Sequence, residues 1–268
     1  MLEAQSLSRR FGGVTAVSKV SFRLAAGEIV GLIGPNGAGK TTLINLMTGV
    51  HRATSGRILY QGRDVTTQKP WQAARSGLAR TFQIVQPFPQ MSVLDNVAAG
   101  ALFAGRASSP GEARRDAMEH LEFVGLQEAA GRPAASLTLP SRKRLELAKS
   151  LAMRPRLLML DEVNAGLNTG EIDQALGLMR AIAGRGITIL IVEHLMKVVF
   201  SLCQRVLVLH HGELIAEGRP REVAEDPHVI EAYLGHKFAA RLRGSAVGAA
   251  VGPAAGAAAG PVAEAGDA

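Results

Sequence analysis

The residues best suited to chemistry are Gly34-Pro35-Asn36-Gly37-Ala38-Gly39-Lys40-Thr41-Thr42, which fit the pattern G-x-x-x-x-G-K-[ST]. Gly34, Gly37 and Gly39 permit a tight backbone turn whose successive N–H groups point inward and wrap a phosphate chain. Lys40 reaches the outer phosphates, and the Thr41 hydroxyl is placed to hold Mg²⁺. The context agrees. Glu28-Ile29-Val30-Gly31-Leu32-Ile33 upstream is a short, mostly apolar run suited to a buried parallel strand, and Thr42 to Met47 opens a helix whose positive end faces the loop. This stretch predicts a nucleoside triphosphate site.

A second stretch supplies carboxylates. Leu157-Leu158-Met159-Leu160 reads as a buried strand ending in Asp161-Glu162. In an open α/β sheet, ligands bind beyond the C-terminal strand ends. There Asp161 can hold Mg²⁺ through water, and Glu162 can act as general base on the attacking water. An acidic helix cap is the plainer reading, and the phosphate loop upstream decides against it. Ile187 to Val192 is another buried strand, ending in Glu193-His194, where a histidine can hydrogen-bond a γ-phosphate. Gln83, in Arg80-Thr81-Phe82-Gln83, can reach a metal or water through its amide oxygen. The remaining histidines (His51, His120, His210, His211, His228 and His236) have no metal-ligand spacing.

These groups need elements to hold them. Alternation around Leu2, Leu7, Val14, Val17, Val20 and Phe22 predicts two antiparallel strands with a turn at Gly12-Gly13, and Phe11 stands just before that turn. Gly56 to Tyr60 reads as a strand, Gly62-Arg63-Asp64 as a turn and Trp71 to Ser76 as a short helix. From Ser92, a predicted N-cap, the period turns helical. Further amphipathic runs cover Glu112–Val124 and Arg142–Met153, so a helical subdomain over about 92–153 interrupts the α/β core. A helix over Glu171–Ala183, a hairpin over Arg205–Gly218 and one closing helix over Val223–Leu234 complete the pattern.

Composition narrows the rest. The 268 residues suffice for a full core, in one large domain or two small ones. The +7 charge is scattered apart from Arg142-Lys143-Arg144, and with aromatics at only 4% there is no platform for stacking bases, so no nucleic-acid partner is expected. A single cysteine, Cys203, excludes a disulfide framework and reads as a small buried hydrophobe. The N-terminus lacks a signal-peptide pattern, and a reducing cytosol fits. Ala246 to Ala263 is uncharged but nearly all Ala and Gly, with Pro253 and Pro261 inside it. Residues 237–268 are therefore expected to be a disordered tail rather than a membrane span.

Taken together, the phosphate loop, Gln83, the acidic strand end and His194 resemble the ATP-binding subunit of ABC transporters over residues 1 to about 236. Gly34 to Gly49, Arg80 to Gln83 with Phe88 to Val93, and Ala216-Glu217-Gly218 onward to Glu231-Ala232-Tyr233-Leu234-Gly235 resemble the LivG-type ATPase of branched-chain amino acid importers. The resemblance implies a P-loop NTPase (RecA-like) α/β core with an antiparallel β subdomain and an inserted α-helical subdomain. It implies that Phe11 stacks on adenine, that Gln83 couples the γ-phosphate site to a membrane subunit, and that His194 is the switch histidine. Thr138, in Leu137-Thr138-Leu139-Pro140-Ser141, aligns with the signature that binds the γ-phosphate held by a second ATPase subunit, identical or related. ATP and Mg²⁺ are the implied cofactors. The implied partners are membrane permease subunits at the cytoplasmic face of the membrane and, indirectly, a solute-binding protein. Three positions depart from the pattern: Pro140 replaces a glycine, Val163 a proline, and Asn168 an aspartate. A non-transport ATPase of the same superfamily is the alternative; a single set of motifs and the lack of long heptads favour transport.

Overall fold

Alternating burial builds the first layer. In the computed structural model, β1 (Leu2–Phe11) and β2 (Val14–Leu24) form the expected hairpin, with Leu2, Ala4, Leu7, Val17, Val20, Phe22 and Leu24 turned inward. The chain then enters β3 (Ile29–Ile33), buried at every residue, and α1 (Lys40–Met47). It returns through β4 (Ser55–Tyr60) and β5 (Arg63–Asp64) to complete an antiparallel sheet of order β2-β1-β4-β5. The expected turn at Gly62-Arg63-Asp64 is thus shorter than the sequence suggested, because Arg63 and Asp64 pair with Tyr60 and Leu59. The structure describes residues 1–82 and 85–234, so Gln83 and the tail over 237–268 lie outside the described residues.

The next segment holds α2 (Pro70–Ser76), β6 (Leu78–Arg80), α3 (Val93–Phe103), α4 (Pro110–Val124) and α5 (Leu139–Ala152). Ser92 caps α3 by accepting from the Asp95 N–H, as its position predicted, and Ser109 caps α4 through the Glu112 N–H. The third helix begins three residues before the expected Arg142. Thr138 occupies the N-cap position and Pro140 sits in the first turn, where a missing N–H costs no intrahelical bond. Leu145, Leu147, Ala148, Leu151 and Ala152 are all buried, as expected.

The second sheet gathers β7 (Leu157–Asp161), α6 (Thr169–Gly184), β8 (Thr188–Val192), α7 (Met196–Leu202), β9 (Arg205–His210) and β10 (Glu213–Gly218) around β3. Its order is β10-β9-β3-β8-β7-β6, parallel except for the edge strand β10. Period-two alternation sends Val30, Leu32, Leu157, Met159, Leu190 and Val192 toward α1 and the antiparallel sheet. Ile29, Ile33, Leu158, Leu160, Ile189 and Ile191 face the helical side. Both faces are covered, which is why these strands read as apolar runs. Cys203 is buried in this second layer as expected, and burial pushes its thiol up to about 12.

The single closing helix expected over Val223–Leu234 is instead two, α8 (Pro220–Glu225) and α9 (Pro227–Leu234). Pro227 has no N–H to continue the first and suits the opening of the second.

Gly100 of α3 lies close against the backbone of α5. A Cβ there would lie 2.6 Å from the Lys149 carbonyl oxygen. Gly100→Ala gains about 1 kcal/mol in helix propensity, but overpacking costs about 1–3 kcal/mol, so net destabilisation is expected in urea unfolding. A raised midpoint would contradict this packing.

Candidate nucleotide-binding and hydrolysis site

The phosphate loop is clamped from behind. A Cβ on Gly34 (φ +149°) would sit 2.1 Å from the Leu209 carbonyl oxygen, and one on Gly39 (φ +103°) 2.4 Å from that of Ala16. Glycine is required there by backbone crowding as well as by turn geometry. Further support comes from β10's turn, where the Gly212 N–H donates to the Ala38 carbonyl at 3.0 Å. Ala38 is buried, Pro35, Gly39 and Thr42 are half-buried, and Asn36, Gly37 and Thr41 are exposed. Gly39 caps α1 without a side-chain acceptor and no acid occupies the first turn, so the orphan N–H groups and the helix dipole remain for an anion.

Lys40 Nζ donates to the carbonyls of Gly34 at 2.7 Å and Pro35 at 3.1 Å. Burial lowers its pKa, an effect opposed by the nearby carboxylates of Glu162 and Asp161. Those two carboxylates stand at the end of β7, with β8 lying between β7 and β3. Asp161 is buried, and burial raises its pKa against the opposing charge of Arg80. Glu162 adopts φ +49°, a costly conformation for a non-glycine residue, and its N–H donates to the Val192 carbonyl at 3.0 Å. The bend turns the chain off the sheet at the edge where β8 delivers exposed His194. The parallel register therefore brings the loop, Asp161, Glu162 and His194 to one edge.

Mg²⁺ takes few protein oxygens and keeps water and phosphate ligands. The Thr41 hydroxyl and the Asp161 carboxylate are oxygen donors of that kind. No cluster of three or more metal-binding side chains occurs among the described residues.

Two further sequence-derived candidates lie on other elements. Phe11 lies at the tip of the first hairpin, edge-on to His51 at 5.2 Å, with the Arg9 guanidinium over its ring at 4.3 Å and the ring still 39% exposed. Thr138 is exposed at the start of α5, and its hydroxyl donates to Ser141 Oγ at 3.1 Å.

Other residues bear on the site without a signal in the sequence. Lys143 Nζ donates to the carbonyls of Val163, at 2.9 Å, and Ala165, tying α5 to the loop after Glu162. Asn168 caps α6 in a reciprocal pair with Glu171, so the asparagine has a local structural job. The Asn164 side-chain amide donates to buried Glu193 Oε1 at 2.7 Å. The Asn-x-x-Glu spacing of Asn168 and Glu171 is a signal that could have found this cap; the other pairings join residues distant in sequence.

Burial raises the pKa of Glu193 in the fold, with its two hydrogen bonds from Asn164 opposing. A carboxyl whose folded pKa is raised stabilises below the unfolded value and loses that contribution as pH rises. Between about pH 4.3, the ordinary Glu value, and the higher folded pKa, Glu193→Gln should flatten the decline in stability with pH. Parallel pH-melt curves for the two proteins would refute this.

The ABC transporter family model matches residues 17–165, and the model described as a branched-chain amino acid ATP-binding cassette transporter matches residues 213–239. The chain is 38% identical over 249 residues to the high-affinity branched-chain amino acid transport ATP-binding protein BraF of Pseudomonas aeruginosa. It is 40% identical over 251 residues to the LivG protein of Salmonella typhimurium, of the same description. Each alignment covers 88% of this chain and 98% of the relative. A crystal structure of a nucleotide-free ATP-binding cassette from an ABC transporter superposes with a TM-score of 0.80 at 31% identity, covering 88% of this chain and 99% of that one. With its loop, acidic strand end and helical insertion on the same frame, the chain belongs to the ABC transporter ATP-binding family of ATPases, on its LivG-like branch.

Proposed function

We propose that this protein is the ATP-hydrolysing subunit of an importer for branched-chain amino acids, acting at the cytoplasmic face of a membrane. The observation carrying this reading is the convergence of the phosphate loop, Asp161, Glu162 and His194 on one sheet edge, in a chain with the C-terminal match at 213–239. The loop amides and Lys40 bind the phosphates, Phe11 packs on adenine, and Thr41 and Asp161 hold the cation; the family resemblance assigns Gln83 to the γ-phosphate site as well. Bound Mg²⁺ supplies charge neutralisation at the transferred phosphoryl group. Glu162 takes the proton of the attacking water, and His194 hydrogen-bonds the γ-phosphate.

The unit doing this work is residues 1–236, with the tail over 237–268 outside it. Thr138 suits a split site: exposed at the start of α5, it would meet the γ-phosphate held by a second ATPase subunit. ATP then joins two protomers, and hydrolysis releases them. Membrane subunits have a surface to meet. No described helix is long and apolar enough to cross a membrane, yet Trp71, Phe88 and Phe103 stand exposed around a groove of about 230 Å³ between α2 and α3. A groove bridging the core and the helical subdomain suits an apolar helical segment of a permease, which would feel both parts move. A solute-binding protein enters only through that permease.

Glu162→Gln should lower ATP turnover by about 10²–10⁴-fold while leaving ATP affinity intact, and should accumulate an ATP-dependent dimer on sizing. Full turnover by this variant would remove Glu162 from its role. Lys40→Ala should weaken nucleotide binding itself in a fluorescent-ATP titration; unchanged affinity would count against the loop.

A further inference from the structure

Arg80 ends β6, and its guanidinium joins elements that are far apart in the chain. One amino group forms an ion pair with Asp161 Oδ2 at 3.4 Å, and another donates to Asn45 Oδ1 on α1, the helix that follows the phosphate loop. Both charged side chains are nearly closed to solvent, at 10% and 2% exposure. The main chain repeats the link, since Asp161 N–H donates to Thr81 Oγ1 at 3.2 Å and Thr81 N–H to the Met159 carbonyl at 2.9 Å. The half-exposed ring of Phe82 lies against the guanidinium at 4.5 Å. A counter-ion for a buried carboxylate needs none of the contacts beyond Asp161. A planar fork serving two acceptors at once does something more: it sets the angle of the carboxylate relative to α1.

We infer that Arg80 is a positioning residue that aims the Asp161 carboxylate at the nucleotide-borne divalent cation, by bracing it against Asn45 of α1. The inference rests on the reading of Asp161 as the carboxylate facing that cation. In this role Arg80 acts through Asp161 and not on the nucleotide or the metal directly. It holds Oδ2, so the carboxylate meets the cation in one orientation instead of several. Lysine keeps the charge but not the fork, and cannot serve Asn45 and Asp161 with the same geometry.

The test is Mn²⁺ binding to the full chain with a non-hydrolysable ATP analogue, read by electron paramagnetic resonance, together with analogue affinity in EDTA. Arg80→Lys and Arg80→Met are compared with wild type after thermal melts establish folding. Metal affinity should fall about tenfold or more in Arg80→Met and less in Arg80→Lys. Metal-free nucleotide affinity should stay unchanged, and raised Mg²⁺ should restore turnover to Arg80→Lys. Phe82→Ala strips the ring from the guanidinium without stranding a buried charge, and should weaken Mn²⁺ in the same direction by a smaller factor even if Arg80→Met fails to fold. Wild-type metal affinity in Arg80→Lys and Phe82→Ala, or an equal loss of metal-free nucleotide affinity, overturns the inference. If wild type binds the analogue no better with Mn²⁺ than without, the metal-site reading of Asp161 falls and takes this inference with it.

Discussion

The site depends on a parallel sheet buried on both faces. Water cannot satisfy charged groups within β3, β7 or β8, and leaving an unpaired charge there would cost several kcal/mol, on the order seen for other buried ions. Charges are therefore confined to strand ends. Because β3, β8 and β7 run the same way, those ends fall along one edge, where the loop after Ile33 meets Asp161-Glu162 and Glu193-His194. The order β3-β8-β7 matters as much as direction. It leaves one strand's width between the phosphate loop and the carboxylates, and fills that gap with the strand bearing His194.

Around this edge, polar groups hold one another in the low-dielectric interior. Arg80 answers Asp161, Asn164 answers Glu193, and Lys143 answers two carbonyls of the loop after Glu162. Each pairing links a different element, the end of β6, the end of β8 or α5, to the segment from Asp161 to Ala165. That segment is also where the backbone takes its unfavourable turn at Glu162. A strained turn persists only when its surroundings over-determine it, and these side chains supply the constraint. Loosening any one of them would release a constraint on this turn while leaving Glu162 itself in place.

The helical insertion contributes differently. α5 carries the exposed Thr138 at its start and, through Lys143, touches the loop after Glu162. One helix thus presents an exposed hydroxyl at its start and, one turn further on, is tied to the loop after Glu162. Close approach at Gly100 packs the backbone of α3 directly against α5. A partner seated in the groove between α2 and α3 would act on the same unit.

Much of this was legible in the residues alone. The phosphate loop depends on local backbone freedom at glycine, Lys40 and Thr41 follow it at fixed spacing, and apolar strands ending in acids mark a sheet edge. Periodicity located the helical insertion, and Ser92 announced its first helix, because these signals are short-range. The structure overruled the sequence reading where two local preferences competed: Pro227 split the closing helix, and α5 started early because Pro140 suits a first turn. Strand order, the pairing of Arg80 with Asp161 and Asn45, and the burial of Glu193 against Asn164 were decided only by tertiary structure. Such contacts join residues far apart in the chain, and a side chain's type states which partners it can accept, while only packing decides which one lies within reach.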